Sequence, residues 1–291
     1  GDSADVCIAY CPERVLPGNI IAELCDNDRI IGGLSLKSSK QAKELYEIFV
    51  TGKCTLTNSS TAEMVKLTEN AARDVQIAFA NEVSMICDKL KINAADVISL
   101  ANRHPRINIL QPGAGVGGHC IAVDPWFIVD RTPDEATLIK TAREINDSKP
   151  FWVLNKVNAT VSRYLRANSE KDISDITIAC YGLTYKPDID DFRESPALFI
   201  TLELIKSHLG KVVAVEPNIN DSIDVLKEIE FLSFAQAKNT ADIHVLLVAH
   251  SDFEKKFFST EYLVDCVGSS KKNDNASDDI NGRQTKNFYR K

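Results

Sequence analysis

The chain has 291 residues, enough for two or three domains with buried cores. Its formal net charge is −7, from 34 Lys+Arg against 41 Asp+Glu, and no dense basic cluster occurs. That balance excludes a nucleic-acid partner, which demands a basic surface.

The eight cysteines (Cys7, Cys11, Cys25, Cys54, Cys87, Cys120, Cys180 and Cys266) lie in apolar stretches without regular spacing, and no basic-then-apolar leader opens the sequence. The pattern predicts reduced thiols in a cytoplasmic protein rather than a disulfide framework. Apolar runs such as residues 245–249 are too short for a bilayer span, so no membrane partner is expected.

In chain order, DVCIAYCPERVLPGN (5–19) predicts a short strand entering a Pro-rich turn, as if the chain began in mid-domain. RIIGGLS predicts a strand, SSKQAKELYEIFVTG a helix capped by Ser38 or Ser39, and CTLTN a further strand. Residues 60–90 predict a long helix whose buried stripe carries Met64, Leu67, Ala71, Val75, Ala78, Phe79 and Ile86. NAADVISLANR adds an Asn-capped helix, and residues 132–165 supply two helical stretches separated near Pro150. From roughly 55 to 165 the pattern is helix and loop. Thereafter ITIACYGL, KVVAVEP, IHVLLVAH and EYLVDCVG read as strands, alternating with a helix over 195–210 and one near 220. Such alternation indicates a doubly wound parallel sheet, with ligands at the carboxyl ends of its strands. The segment from Ser269 onward is a polar tail almost free of apolar residues, expected to be disordered.

QPGAGVGGHC (111–120) is the segment richest in chemistry, with four glycines before a histidine and a cysteine. A dinucleotide loop needs a strand before the glycines and a helix opening on them. Here a proline precedes them, and Pro125 is expected to limit any following helix to barely a turn. Glycines also let a ligand approach bare main chain, and a thiol behind them is placed to meet a carbonyl carbon. A packed, inert thiol is the alternative at Cys120. Adjacent His119 and Cys120 without any C-x-x-C partner do not make a zinc site, and no metal is expected.

GAGVGGHCIAVDPWF resembles the catalytic-cysteine motif of the nucleotide-sugar 6-dehydrogenases, the UDP-glucose/GDP-mannose dehydrogenase family. The similarity runs from about residue 5 to about residue 268 across several motifs. It implies an NAD-dependent four-electron oxidation of a sugar C6 alcohol to a carboxylate. The adjoining ANRHPRINILQ narrows the implied substrates to UDP-N-acetylated hexosamines, with N-acetylmannosamine first and its gluco and galacto epimers as alternatives. The fold implied is α/β: a remnant of an N-terminal nucleotide-binding domain over 1–55, a central helical dimerisation domain with the catalytic cysteine over 56–165, and a C-terminal doubly wound Rossmann-like UDP-binding domain over 166–268. The polar tail occupies 269–291.

By the same resemblance Cys120 is the nucleophile, and Lys66 and Asn70, four residues apart on one helix face, stabilise the oxyanions. Asp124 tunes Lys66 and, with Glu13 of CPERVLPGN, handles protons. Read without the resemblance, Lys66 and Asn70 are a solvated helix face, Glu13 is a turn carboxylate paired with Arg14, and Asp124 is a cap before Pro125. The resemblance assigns Lys186, Arg106, Gly117 and Gly118 to the UDP-sugar, Arg106 from a neighbouring subunit of a homodimer, and Arg193 to NAD. The resemblance implies about 140 further residues, carrying a G-x-G-x-x-G turn, ahead of the first motif, and these are expected to be lacking here. These 291 residues are therefore expected to bind UDP far better than NAD, and a non-catalytic UDP-sugar-binding or dimerisation module is the competing reading.

Overall fold

The structure is a computed structural model that describes residues 6–15, 20–219, 224–254 and 260–268. The predicted polar tail and most of the helix near 220 lie outside the described residues. The chain forms two compact units, one of residues 1–82 with 118–147 and the other of 83–117 with 148–291.

The first unit opens with β1 (Ala9–Tyr10), α1 (Ile20–Asp26), β2 (Arg29–Gly33), α2 (Leu36–Tyr46) and β3 (Cys54–Asn58). β2 is central, antiparallel to β1 and parallel to β3. α1, seven residues long, is too short for periodicity to announce and was not expected. The cap of α2 is Ser35, which receives Ser38 N at 3.1 Å, rather than Ser38 or Ser39. Those two serines are buried inside the helix, where Ser39 Oγ accepts Gly33 N at 2.9 Å and ties helix to strand. Gly32 is obligatory: a Cβ there would stand 2.5 Å from Asn58 O and 2.6 Å from Ala62 Cβ.

α3 (Ser59–Leu90) follows β3 directly and begins one residue before the predicted start at 60. Its stripe is only partly as expected. Ala71 and Ala78 are buried, but Met64, Phe79 and Ile86 are exposed. The buried face is built instead from small and polar residues, including Ala62, Asp74, Ala80 and Asn81, which a hydropathy pattern does not register. The next helix, α4 (Ala94–Ala101), belongs to the second unit and is capped by Asn93 as expected. α5 (Asp124–Arg131) and the first turns of α6 (Thr137–Ala167) return to the first unit.

α6 is one continuous helix through Pro150, not two stretches. Proline removes one ladder bond at a cost of about 3 kcal/mol, and packing on both sides of it offsets the loss. Arg143, Asn146 and Lys149 before it, and Val153, Val157 and Val161 after it, are all buried.

The second unit carries β4 (Thr177–Tyr181), α7 (Pro196–Ser207), β5 (Lys211–Val215), β6 (Glu230–Phe231), α8 (Phe234–Thr240), β7 (Ile243–Leu246), α9 (Ser251–Glu254) and β8 (Leu263–Asp265). The strands form an all-parallel sheet in the order β6-β5-β4-β7-β8. Alternation along β4 sends Ile178 and Cys180 into a core with Val153 of α6 and Ile200 of α7. Ala179 and Tyr181 face the opposite core, with Ala237 of α8 and Phe253. Helices thus cover both faces, and the strand order reverses between β4 and β7, as the apolar strand pattern predicts.

Candidate functional site

In the first unit the glycine segment ends in a turn that becomes α5. Cys120 O accepts Val123 N at 3.1 Å and Asp124 N at 2.8 Å. Pro125 falls in the first turn, where its missing N–H costs nothing, so the helix runs for eight residues rather than barely a turn. Cys120 is an unpaired, half-buried thiol four residues from Asp124.

Asp124 meets α3. Asn70 Nδ2 donates to Asp124 Oδ2 at 2.5 Å, a charge-assisted contact. The expected partner of Asp124 was Lys66, which lies one turn earlier on the same face and is half-buried. Tyr10, at the end of β1, feels the same centre: burial and then the charges of Glu63 and Asp124 push its hydroxyl up.

Glu13 is also in this unit, but Arg14 is not its side-chain partner. Arg14 pairs with Glu69 at 2.7 Å, and only its backbone N reaches Glu13, at 2.7 Å. The cation on Glu13 is Arg29, 3.3 Å away and nearly fully buried, which also donates to Leu24 O and stacks over Tyr46 at 5.3 Å. Sequence reasoning missed Arg29; its signal was a charge opening an otherwise apolar strand, RIIGG.

In the second unit a cavity of about 550 Å³ opens beside the carboxyl ends of β4 and β7, at the switch point of the sheet. Lys186 lines it with Thr184, Tyr185, Gly113, Gly115 and Val248. Gly117 does not present bare backbone to it: a Cβ there would meet Glu194 O at 2.5 Å, Tyr185 Cβ at 2.7 Å and Pro196 Cδ at 2.9 Å. Its glycine serves a close approach of two protein segments. Gly118 takes a left-handed φ of 79°, which glycine accommodates without strain. Arg193 is exposed and forks onto Asp191, with Nη2 to Oδ2 at 2.5 Å and Nε to Oδ1 at 3.0 Å. Arg106 is exposed and its backbone N donates to His104 Nδ1 at 3.3 Å.

Among the described residues no group of three His, Cys, Asp or Glu is placed to hold a metal ion, and no helix is long and apolar enough to cross a membrane.

A parallel, doubly wound sheet with a cavity at its switch point puts the second unit in the class of nucleotide-binding α/β folds. Comparison with known proteins carries this to a family. Residues 60–148 match the central domain of the UDP-glucose/GDP-mannose dehydrogenase family, 179–271 its UDP binding domain and 1–50 its NAD binding domain. The chain belongs to that family. It is 54% identical over 272 residues to the UDP-N-acetyl-D-mannosamine dehydrogenase of Escherichia coli, an alignment covering 92% of this chain and 64% of that protein. To the NDP-N-acetyl-D-galactosaminuronic acid dehydrogenase of Ralstonia nicotianae it is 54% identical over 255 residues, covering 88% and 58%. The solved UDP-D-ManNAc dehydrogenase of Pyrococcus horikoshii superposes with a TM-score of 0.77 at 35% identity, covering 93% of this chain and 63% of that one. The chain spans less than two thirds of the length of these relatives.

Proposed function

We propose that this chain carries the substrate-facing part of an NAD-dependent UDP-N-acetylhexosamine 6-dehydrogenase, with UDP-N-acetylmannosamine as the first substrate and the gluco and galacto epimers as alternatives. The observation that carries the reading is the Asn70–Asp124 bond, which joins the Lys66/Asn70 face of α3 to the turn bearing Cys120 within one compact unit.

When bound, NAD supplies the acceptor for two successive oxidations. Residues 1–50 match the family's NAD binding domain, so the first unit would supply one flank of the dinucleotide site. An aldehyde yields to further oxidation only after a nucleophile makes it tetrahedral. Cys120 Sγ adds to the C6 aldehyde carbon, its proton passing to the new hydroxyl; oxidation of that thiohemiacetal gives a thioester, which water cleaves to the carboxylate and the thiol. Lys66 and Asn70 stabilise the oxyanions, each worth about 2–4 kcal/mol. Asp124 holds Asn70 in orientation, and Glu13, steadied by Arg29, takes protons from alcohol and water. Lys186 meets the UDP moiety at the switch-point cavity, Gly118 supplies the tight turn beside the thiol, Arg193 reaches NAD and Arg106 a neighbouring subunit's sugar. The three-domain division at 55 and 165 belongs to the same reading. A homodimer is supported by large apolar residues left exposed along α3 (Met64, Phe79, Ile86), and a cytoplasmic location by eight unpaired cysteines.

Cys120→Ser is expected to abolish formation of the uronate from the UDP-sugar and NAD, measured by mass spectrometry of the product; normal uronate yield rules out the covalent role. The switch-point cavity is lined wholly by residues of the second unit, which favours a second reading, a UDP-sugar-binding module without catalysis. Separate titrations decide between them, because binding of UDP with no binding of NADH supports the module.

A further inference from the structure

Glu216 directly follows the second strand of the doubly wound sheet, β5, at the place where such folds commonly offer an acidic side chain to a ribose. Here the carboxylate is turned to the protein itself. It is fully buried, Oε2 accepts Leu183 N at 2.6 Å and Oε1 accepts Asn218 N at 2.9 Å. His250, also fully buried, stands with Nε2 3.1 Å from Glu216 Oε2. Burial pushes the Glu216 carboxyl up, but the hydrogen bonds from His250, Leu183 N–H and Asn218 N–H outweigh it and hold the group below its ordinary range.

The protons on His250 follow from its neighbours. Nδ1 receives Asp188 N at 3.0 Å and lies 3.1 Å from Asn218 Nδ2. A backbone N–H only donates, so Nδ1 offers its lone pair and Nε2 carries the proton that goes to Glu216. The segment from Leu183 to Asp188 is thereby held at both ends, by Glu216 at its start and by His250 at its close. Between them Thr184 Oγ1 donates to Lys186 O at 2.9 Å. Asp188 is kept at a left-handed φ of 61°, a strained conformation for a non-glycine residue, by bonds from Ser251 N and Oγ at 2.9 and 3.1 Å. The clamped segment contributes Thr184, Tyr185, Lys186 and Pro187 to the switch-point cavity.

The geometry points to His250 as the positioning residue of that cavity: its Nδ1, accepting from Asp188 N–H and braced by Glu216, sets the 183–188 loop and hence Lys186 for a nucleoside diphosphate. The inference rests on the proposed UDP site and adds to it a residue that touches no ligand.

The test compares the full chain with His250→Asn, His250→Gln and His250→Leu by calorimetric titration with UDP, and by hydrogen exchange of residues 183–188 without nucleotide. The Asn oxygen replaces Nδ1 as acceptor for Asp188 N–H, whereas the Gln amide replaces only the Nε2 donor toward Glu216. UDP affinity is expected to stay within about threefold for His250→Asn and to fall about tenfold or more for His250→Gln and His250→Leu, with exchange of 183–188 faster only in the latter two. Equal affinity and equal exchange in all four proteins overturns the inference, as does a loss in His250→Asn as large as in His250→Gln. If the parent chain binds no UDP, the nucleotide reading fails while the exchange pattern still decides whether His250 sets the loop. Should the His250 variants not fold, Ser251→Ala, exposed and outside the buried pair, is expected to speed exchange at Asp188 and weaken UDP in the same direction; no change in either refutes the role.

Discussion

The face of α3 that presents Lys66 and Asn70 is fixed one turn further on by Asp74, and removal of Arg143 should release it. Asp74 and Arg143 are both fully buried and lie 2.5 Å apart, with Asn146 Nδ2 adding 2.8 Å to the same carboxylate oxygen and Asp147 taking the other arm of the guanidinium. Burial pushes the Asp74 carboxyl up, and Arg143 and Asn146 oppose that push. In Arg143→Leu the carboxylate keeps only the Asn146 amide and its own desolvation cost. Breaking a buried pair on one side costs about 3–5 kcal/mol. With a urea dependence of about 2 kcal/mol per molar for a domain-sized unit, the midpoint should fall by about 2 M. Trp126 lies in the same unit and reports its unfolding once Trp152, in the other unit, is replaced by Phe. Because the pair is expensive rather than stabilising in itself, Asp74→Leu combined with Arg143→Leu should recover most of the loss. A single-variant loss below about 1 kcal/mol, or a double variant no better than the single, refutes the reasoning.

His244 is buried, its Nδ1 meets the Tyr181 hydroxyl at 2.8 Å, and burial lowers its pKa from 6.5 to about 4. The unfolded chain therefore binds a proton that the folded one refuses, so stability is complete above about pH 6.5 and falls by about 3 kcal/mol as the pH drops to about 4. Thermal scans should show that slope reduced in His244→Gln; an unchanged slope assigns it elsewhere. Gly117→Ala should destabilise by about 1–3 kcal/mol, since its Cβ would press on Glu194 O at 2.5 Å, while Gly113→Ala, whose nearest neighbour is 3.8 Å away, should be tolerated. Equal melting temperatures for the two variants contradict the packing account.

The C-terminal sheet was legible because its strands are short apolar runs set off by turns, and the strand-helix alternation leaves few topologies. Local rules misjudged the two prolines for opposite reasons. Pro125 sits where a helix begins and needs no donor, whereas Pro150 lies deep in α6, where buried neighbours on both sides hold the helix through the break. At the site, the spacing of Lys66 and Asn70 was readable as one helix face, but its meeting with Asp124 spans 54 residues, and no periodicity encodes it. Arg29, Glu216 and His250 stayed hidden for the same reason. Each is a polar residue inside an apolar segment, and its partners are supplied by other elements of the fold.

The most direct test of the thiol's role is the rate at which iodoacetamide alkylates Cys120 in the full chain, followed by peptide mass spectrometry as the C6 aldehyde of UDP-N-acetylmannosamine is added. Capture of the aldehyde beside the Asn70–Asp124 pair predicts saturable protection of Cys120, weakened about tenfold or more in Asn70→Ala and absent with UDP alone. Alkylation of Cys120 at an unchanged rate under saturating aldehyde contradicts the account.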